Sequence, residues 1–274
     1  MKLSVVAGID IGSAAIKLTL YDGVQMAYAA RLSGWNPREA ALDLLRRETA
    51  AWGIAVEDLV CIVGTGYGRI NFPLAHKTMT EITCHGRGAA YMVPGAATVL
   101  DIGGQDAKAM RVDNTGKVTD FVMNDKCAAG TGKFFQVMAG AMNLDMAGLN
   151  ELELSPGEEA CTVNAMCTVF AESEVIGLVN KGKSRQAIFA GLYKSVANRV
   201  AAMAASVQLA APVVFTGGVS QNRHMRRELE EKLGVELIVP SHALYAGSIG
   251  AALCAWDYSR SVGIKERASQ NTQA

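Results

Sequence analysis

The stretch "GIDIGSAAIK" at residues 8–17 decides the fold, because "VLDIGGQDAK" at 99–108 repeats it. Laid together, Asp10 falls on Asp101, Gly12 on Gly103 and Lys17 on Lys108. In both copies an apolar run ends in Asp-Ile-Gly and an alternating run follows, the pattern of a buried strand turning into its neighbour. Around the first copy, "LSVVAGID" (3–10) predicts one strand and "AAIKLTLY" (14–21) another. The Asp22-Gly23 hairpin signal predicts a third, reaching about Leu32. Asn36-Pro37 opens a helix that Gly53 closes, "LVCIVGTG" is a fourth strand, and "TEITCHGRGAAYM" a second helix. Around the second copy, "TVLDIGGQD", "AKAMRV" and "VTDFVM" supply three strands, and a helix starts at Thr131. An insertion rich in helix then precedes the strand "PVVFTGG". Within that insertion, the run from Arg185 is a long helix whose stripe of Tyr193, Val196, Ala197, Val200 and Ala204 is expected to pack in a core. A helix over 222–233 stopped by Gly234, the strand "VELIVP" and a last helix over about 247–259 complete the half; the polar tail "IKERASQNTQA" is expected to fray. The expected fold class is α/β, a duplicated unit with a cleft between the copies.

Bulk properties narrow the function. Half of the 274 residues are apolar and 19% are charged, enough for one large core or two medium ones. The 26 Lys and Arg residues equal the 26 Asp and Glu residues, so no basic field points to nucleic acid or an anionic membrane. No apolar run is long enough to cross a bilayer, and "MKLSVVAGIDIG" reads directly as a strand without a leader's cleavage region. A cytoplasmic protein is expected. The six cysteines, at 61, 84, 127, 161, 167 and 254, show no CxxC spacing. In a reducing compartment they read as buried thiols, with a few metal ligands, rather than disulfides.

The glycine-rich turns carry the chemistry. Glycine lets backbone N–H groups approach an anion closely, so each Asp-Ile-Gly turn suits phosphate. Asp10 and Asp101 are expected to hold a hydrated Mg²⁺, which takes one or two carboxylates and keeps several waters. "FTGGVSQN" at 215–222, between a strand and a helix, suits an adenosine or an α-phosphate. A Walker A loop is excluded around Gly132-Lys133, because Cys127 and Phe134 stand where that motif needs Gly and Ser or Thr. "GTGYGR" at 64–69 follows a strand with no helix immediately behind it and reads as structural, with Arg69 near the cleft. His76, His85, His224 and His242 lack metal-ligand spacing and read as surface or capping residues.

The succession "GIDIGS", "LDIGGQD", "FTGGVSQN" and "YAGSIGAA" resembles the actin, Hsp70 and sugar-kinase superfamily of ATPases. The resemblance implies two RNase H-like halves closing on Mg-ATP. Residues 1–95, with the helix 247–259 packed on them, would form the first, and 96–246 the second, carrying the cluster cysteines. Implied ATP or ADP contacts on the first turn are Gly12, Ser13, Ala14, Ala15 and Lys17. On the second turn and the helix start they are Gly103, Gly104, Gly130, Thr131 and Gly132, and on the adenosine side Gly217, Gly218, Gln221, Asn222 and Tyr245. Asp10 and Asp101 are joined as catalytic candidates by Gln105, placed to bond the γ-phosphate or the attacking water. Glu81 lies in the connecting helix where the superfamily orients that water, although the helix dipole explains a first-turn Glu equally. Asp106 and Lys108 read as a salt-bridged hairpin.

More narrowly, "MNDKCAAGTG" and "CTVFAESEVI" resemble the component A activators of 2-hydroxyacyl-CoA dehydratases, which group with the ATPase subunits of benzoyl-CoA reductase. The likeness runs over nearly the whole chain. It implies a homodimer in which Cys127 and Cys167 of each chain jointly ligate one [4Fe–4S] cluster. It also implies reduced ferredoxin or flavodoxin as electron donor, and ATP-driven transfer of one electron to a dehydratase. The residues are compatible with that. Each cysteine precedes a helix: Phe134, Val137, Met138, Ala141 and Met142 follow one, and Val169, Ile176 and Val179, beside Glu172, Ser173 and Glu174, follow the other. A helix N-terminus favours the thiolate that binds metal, and a twofold axis turns two thiols into the four a cubane needs. Cys61, Cys84 and Cys254 read as core packing, and Cys161 in "EEACTVNAM" lacks the matching context. The alternatives are an activator of a benzoyl-CoA reductase-like or uncharacterised acyl-CoA enzyme, a cluster-free small-molecule kinase, and a regulatory ATPase whose cysteines only sense redox state.

Overall fold

The computed structural model describes residues 4–164 and 167–271, with side chains up to residue 261. Each Asp-Ile-Gly strand is the middle of a five-stranded mixed sheet. The first sheet contains β1 (Val6–Ile11), β2 (Ala15–Tyr21), β3 (Met26–Leu32), β4 (Cys61–Thr65) and the short β5 (Lys77–Thr78), which sequence reading did not anticipate. The second contains β6 (Thr98–Ile102), β7 (Ala107–Val112), β8 (Val118–Asn124), β9 (Val213–Thr216) and β10 (Leu237–Ile238). Their orders, β3-β2-β1-β4-β5 and β8-β7-β6-β9-β10, are the same order written twice. In both, the first three strands pair antiparallel as a meander, and the last two join in parallel. The expected duplication is therefore present in the topology as well as in the motif.

The chain divides into two units. The first is built from the segments that run to Met92, over Thr115–Lys117 and from Leu244 onward. Helix α1 (Pro37–Ala51) covers one face of its sheet, started by Asn36, whose side chain accepts the Glu39 N–H at 3.3 Å. Leu44 and Leu45 are buried against Ile9, Ile11, Leu18 and Leu20; each such leucine contributes about 2–3 kcal/mol. Helices α2 (Glu81–Met92) and α7 (Ala246–Asn271) join the other face, where Val6, Val63 and Cys84 pack with Ala251 and Ala255. The two helices touch backbone to backbone. A Cβ on Gly250 would stand 1.8 Å from the Cys84 carbonyl oxygen, and one on Gly88 would stand 2.0 Å from that of Ala246. Only glycine permits that crossing.

The second unit, Val93–Asn114 with Val118–Ala243, holds the larger core. Helix α3 (Gly132–Ala141) contributes Phe134, Phe135 and Met138, and α5 (Arg185–Ser206) contributes the predicted stripe of Tyr193, Val196, Ala197, Val200 and Ala204, all buried. Helix α4 (Thr168–Asn180) packs on α3, and α6 (Arg223–Leu233) packs on α5. Gly234, at φ +67°, stops α6 as expected.

Three expectations need correction. The last helix does not stop near 259. It continues to Asn271, through Lys265, Glu266, Arg267, Ala268 and Gln270, which are good helix formers with no proline among them. The strand "VELIVP" shrinks to Leu237–Ile238, since pairing with β9 covers only those residues and Pro240 has no N–H to extend it. His85 is neither a surface nor a capping residue; it lies 7% exposed in the middle of α2. Replacing Gly250 by alanine forces the α2–α7 crossing apart and should cost about 2–3 kcal/mol in a urea melt; an unchanged midpoint contradicts the close approach.

Candidate functional site

Strand register builds the first phosphate turn. Asp10 faces Lys17 across the β1–β2 pair, so their side chains share one face and Lys17 Nζ reaches Asp10 Oδ2 at 3.4 Å. Asp10 is buried, whereas Ser13 and Ala14 stand exposed at the tip of the turn. The turn is held from behind by buried Ser33, whose hydroxyl donates to the Gly12 carbonyl at 2.6 Å and whose N–H donates to that of Ala14 at 3.1 Å. Sequence reasoning missed Ser33, because a lone serine after a strand carries no signal.

The second turn repeats this with additions. Asp101 faces Lys108 across β6–β7, and Lys108 Nζ lies 3.3 Å from Asp101 Oδ2 and 2.6 Å from Asp106 Oδ1, all three residues buried. Thr216 on the parallel strand β9 donates to Asp101 Oδ1 at 2.7 Å. The N–H groups that open α3 are spoken for: Gly132 donates to the Gly103 carbonyl at 2.9 Å and Lys133 to that of Gly104 at 2.8 Å. A helix start leaves such donors without intrahelical partners, and here the phosphate turn supplies the acceptors. Thr131 is buried, with its hydroxyl and N–H both directed to the Ala128 carbonyl, and Gly130 takes φ +85°.

A further repeat emerges that the sequence reading passed over. Thr65-Gly66 and Thr216-Gly217 both end a parallel strand beside the Asp-Ile-Gly aspartate, and both lead into a single 3₁₀ turn. Gly66 and Gly217 adopt φ +79° and +86°. A Cβ on Gly66 would stand 2.4 Å from Asp10 Oδ1, and one on Gly217 would stand 2.3 Å from the Ile102 carbonyl oxygen. Arg69 donates to the Gly66 carbonyl at 2.9 Å as Ser220 does to that of Gly217 at 2.7 Å. "GTGYGR" is thus the partner copy of "FTGGVSQN". The signal was T-G-x-x-x-x-N, present at 65–71 and again at 216–222. One contact differs. Thr65 Oγ1, fully buried, has no hydrogen-bond partner among the described residues, where Thr216 holds its aspartate.

The remaining candidates spread over both units. In the first, Glu81 begins α2, half-buried, and the Tyr245 ring lies against Tyr28 with centroids 5.4 Å apart. In the second, Gln105 and Gln221 are exposed, and Gly218 faces open space. Asn222 caps α6 by accepting the Met225 N–H at 2.8 Å, and its amide donates to the Tyr193 hydroxyl at 3.0 Å. Burial pushes that hydroxyl up to about 12, against the pull of Asn222, so Tyr193 stays neutral.

Cys167 is the exposed N-cap of α4. Cys127 is half-buried and lies before the α3 N-cap, Thr131, in a loop pinned by Asn124, whose amide donates to the carbonyls of Cys127 at 3.0 Å and Ala129 at 3.2 Å. The apolar face expected after Cys167 points outward: Val169 is 66% exposed and Ile176 47%, with Phe170 at 70%, while Ala171 and Val175 turn into the core. Cys61 and Cys84 are buried, and Cys161 and Cys254 are half-buried. Among the described residues no three His, Cys, Asp or Glu side chains converge as a metal site.

The threonine asymmetry is measurable. Thr216→Val removes the bond to buried Asp101 and should cost about 1–2 kcal/mol in urea unfolding, whereas Thr65→Val should stay within about 0.5 kcal/mol. Equal losses contradict the difference.

Over 251 residues the chain is 41% identical to the (R)-2-hydroxyglutaryl-CoA dehydratase activating ATPase of Acidaminococcus fermentans, covering 91% of this chain and 96% of that one. The solved structure of component A of the A. fermentans (R)-2-hydroxyglutaryl-CoA dehydratase superposes with a TM-score of 0.87 at 40% identity, over 94% of this chain and 99% of that one. The activator of the 2-hydroxyisocaproyl-CoA dehydratase from Clostridium difficile, solved with bound ADPNP, superposes at 0.86 and 35% identity, over 95% and 97%. The twice-written sheet is the duplicated RNase H-like arrangement of the actin, Hsp70 and sugar-kinase fold. Residues 7–255 match the BadF/BadG/BcrA/BcrD ATPase family, and the chain belongs to that family.

Proposed function

We propose that this ATPase activates a 2-hydroxyacyl-CoA dehydratase by delivering one low-potential electron, as a cytoplasmic homodimer. Cys127 and Cys167 of each chain would supply the four thiolates of one shared [4Fe–4S] cluster. The observation that carries the reading is the pair of backbone bonds from Gly132 and Lys133 to the Gly103–Gly104 turn, which ties a phosphate loop to the segment bearing Cys127. The names of the relatives support the partner, and the ADPNP in one solved relative supports the nucleotide. The balance of 26 basic and 26 acidic residues agrees with a protein partner rather than nucleic acid.

The thiols fit the cluster. A cubane takes four cysteines, each chain offers two, and exposed Cys167 lies beside the exposed Val169 and Phe170, an apolar surface suited to a second copy. When bound, the cluster stores and passes the electron, and Mg²⁺ neutralises the phosphates of ATP. The chain's own residues do the rest. Asp10 and Asp101 would hold the hydrated cation, and Gly12–Ala15 and Gly104 would present N–H groups to phosphate, with Lys17 beside the first turn; the Gly103 N–H is held by the Asp106 carbonyl at 2.9 Å and shapes the second. Gln105 offers its exposed amide to the γ-phosphate or the attacking water, and Glu81 orients that water. Gly217, Gly218, Gln221, Asn222 and Tyr245 take the adenosine side, with Gly130, Thr131 and Gly132 shaping the start of α3. Loss of the γ-phosphate removes a contact from the second turn. The resulting shift passes along the backbone bonds to α3, and through packing to α4 and Cys167. Changed hydrogen bonding and exposure at the sulfurs of Cys127 and Cys167 would tune the potential of a cluster held there. Reduced ferredoxin or flavodoxin would supply the electron.

Anoxic purification followed by iron and sulfide assay tests this. About four irons per dimer and a brown chromophore are expected, and Cys127→Ser or Cys167→Ser should bleach it while nucleotide binding survives. Colourless, monomeric, iron-free wild type overturns the reading. Separately, Asp10→Asn should slow ATP hydrolysis about a hundredfold, as loss of a preorganised charge at a phosphate site does, leaving the iron content unchanged.

A further inference from the structure

Two cysteines with no part in the proposed ATPase and electron-transfer reading meet where α2 crosses α7. The helices run antiparallel there, with Gly88 against Ala246 and Cys84 against Gly250. Helical side chains lean toward their own N-terminus. Cys84 therefore leans toward the level of residue 254, one turn beyond Gly250, and Cys254 leans back toward Cys84. The two thiols are close enough for each to act on the other's ionisation. Access is unequal: Cys84 is fully buried, while Cys254 is half-buried, with Arg87 and Lys77 nearby.

We propose that Cys84 and Cys254 are a reversible modification site, a dithiol that a low-molecular-weight disulfide such as oxidised glutathione converts to an intramolecular disulfide bolting α2 to α7. The neighbouring Cys84 thiol brings the Cys254 thiol down to about 7, with help from Arg87 and Lys77 and against burial and Asp257. Cys84 is raised well above the usual thiol range, by the Cys254 thiol and by burial. Cys254, the only one of the two that a reagent can reach, is the attacking thiol, and buried Cys84 is the thiol held in reserve. Cys254 attacks the S–S bond of oxidised glutathione, forming a mixed disulfide and expelling one glutathione thiolate. Cys84 then gives up its proton and attacks the Cys254 sulfur. The Cys84–Cys254 bond forms and the second glutathione leaves, so two electrons and two protons pass from the protein to two glutathione thiols. Cys61, also buried in this unit, has its thiol raised by burial, and it stays reduced.

The test maps disulfides in the full-length protein after anoxic incubation with oxidised glutathione, blocking of remaining thiols with N-ethylmaleimide, and proteolysis. Expected is a peptide bearing Cys84 joined to one bearing Cys254, separated again by dithiothreitol. The variant Cys84→Ser should keep a glutathione adduct on Cys254, and Cys254→Ser should leave Cys84 labelled by maleimide only. Recovery of both wild-type thiols as maleimide adducts, or of Cys254 as a lasting glutathione adduct in the wild type, overturns the proposal. Each cysteine is read individually and no nucleotide or iron is involved, so the result is independent of the electron-transfer reading.

Discussion

Two backbone hydrogen bonds, from the N–H groups of Gly132 and Lys133 to the carbonyls of Gly103 and Gly104, organise the second unit. A helix must find acceptors for its first donors or lose their hydration without return. By taking them from the phosphate turn, α3 makes turn and helix move as one piece. Phe134, Phe135 and Met138 anchor that piece in the core, Asn124 pins the loop before it, and Arg199 of α5 donates to the Ala129 carbonyl at 3.3 Å. The segment carrying Cys127 is therefore braced by β8 on one side and by α3 and α5 on the other.

The two copies of the phosphate motif have different physical characters. Lys108 is sealed at 2% exposure between Asp101 and Asp106, and Thr216 completes the set. Removing one member of such a buried group leaves an uncompensated charge and costs about 3–5 kcal/mol, so this copy is rigid. Lys17 is 18% exposed with a carboxylate at 3.4 Å, and the neighbouring Thr65 hydroxyl makes no bond to Asp10 among the described residues. That copy can exchange partners at little cost. The same motif is thus stiff in one unit, where it is tied to α3, and softer in the other.

How much was legible in the chain depended on how local each signal was. The Asp-Ile-Gly repeats, the Asp22-Gly23 hairpin, the Asn36 and Asn222 caps and the Gly234 stop each involve neighbours within a few residues, and all were readable. The likeness of "GTGYGR" to "FTGGVSQN" was passed over because its shared residues, Thr65-Gly66 with Asn71 and Thr216-Gly217 with Asn222, are few and spaced, and what makes them equivalent is a positive φ and the aspartate alongside. The apolar face of α4 was legible as a face, but its outward direction was not, because spacing does not say what stands opposite Val169 and Ile176.

The amino-acid sequence by itself determined that two similar sheets would form, each ending its central strand in an aspartate and a glycine turn, since strand period and turn chemistry are properties of contiguous residues. Only the tertiary structure decided that Ser33 braces one turn, that α3 caps itself on the other, and that Cys84 meets Cys254 across a glycine crossing. Those contacts join residues far apart along the chain, and they exist because particular helix faces came to rest on particular strands.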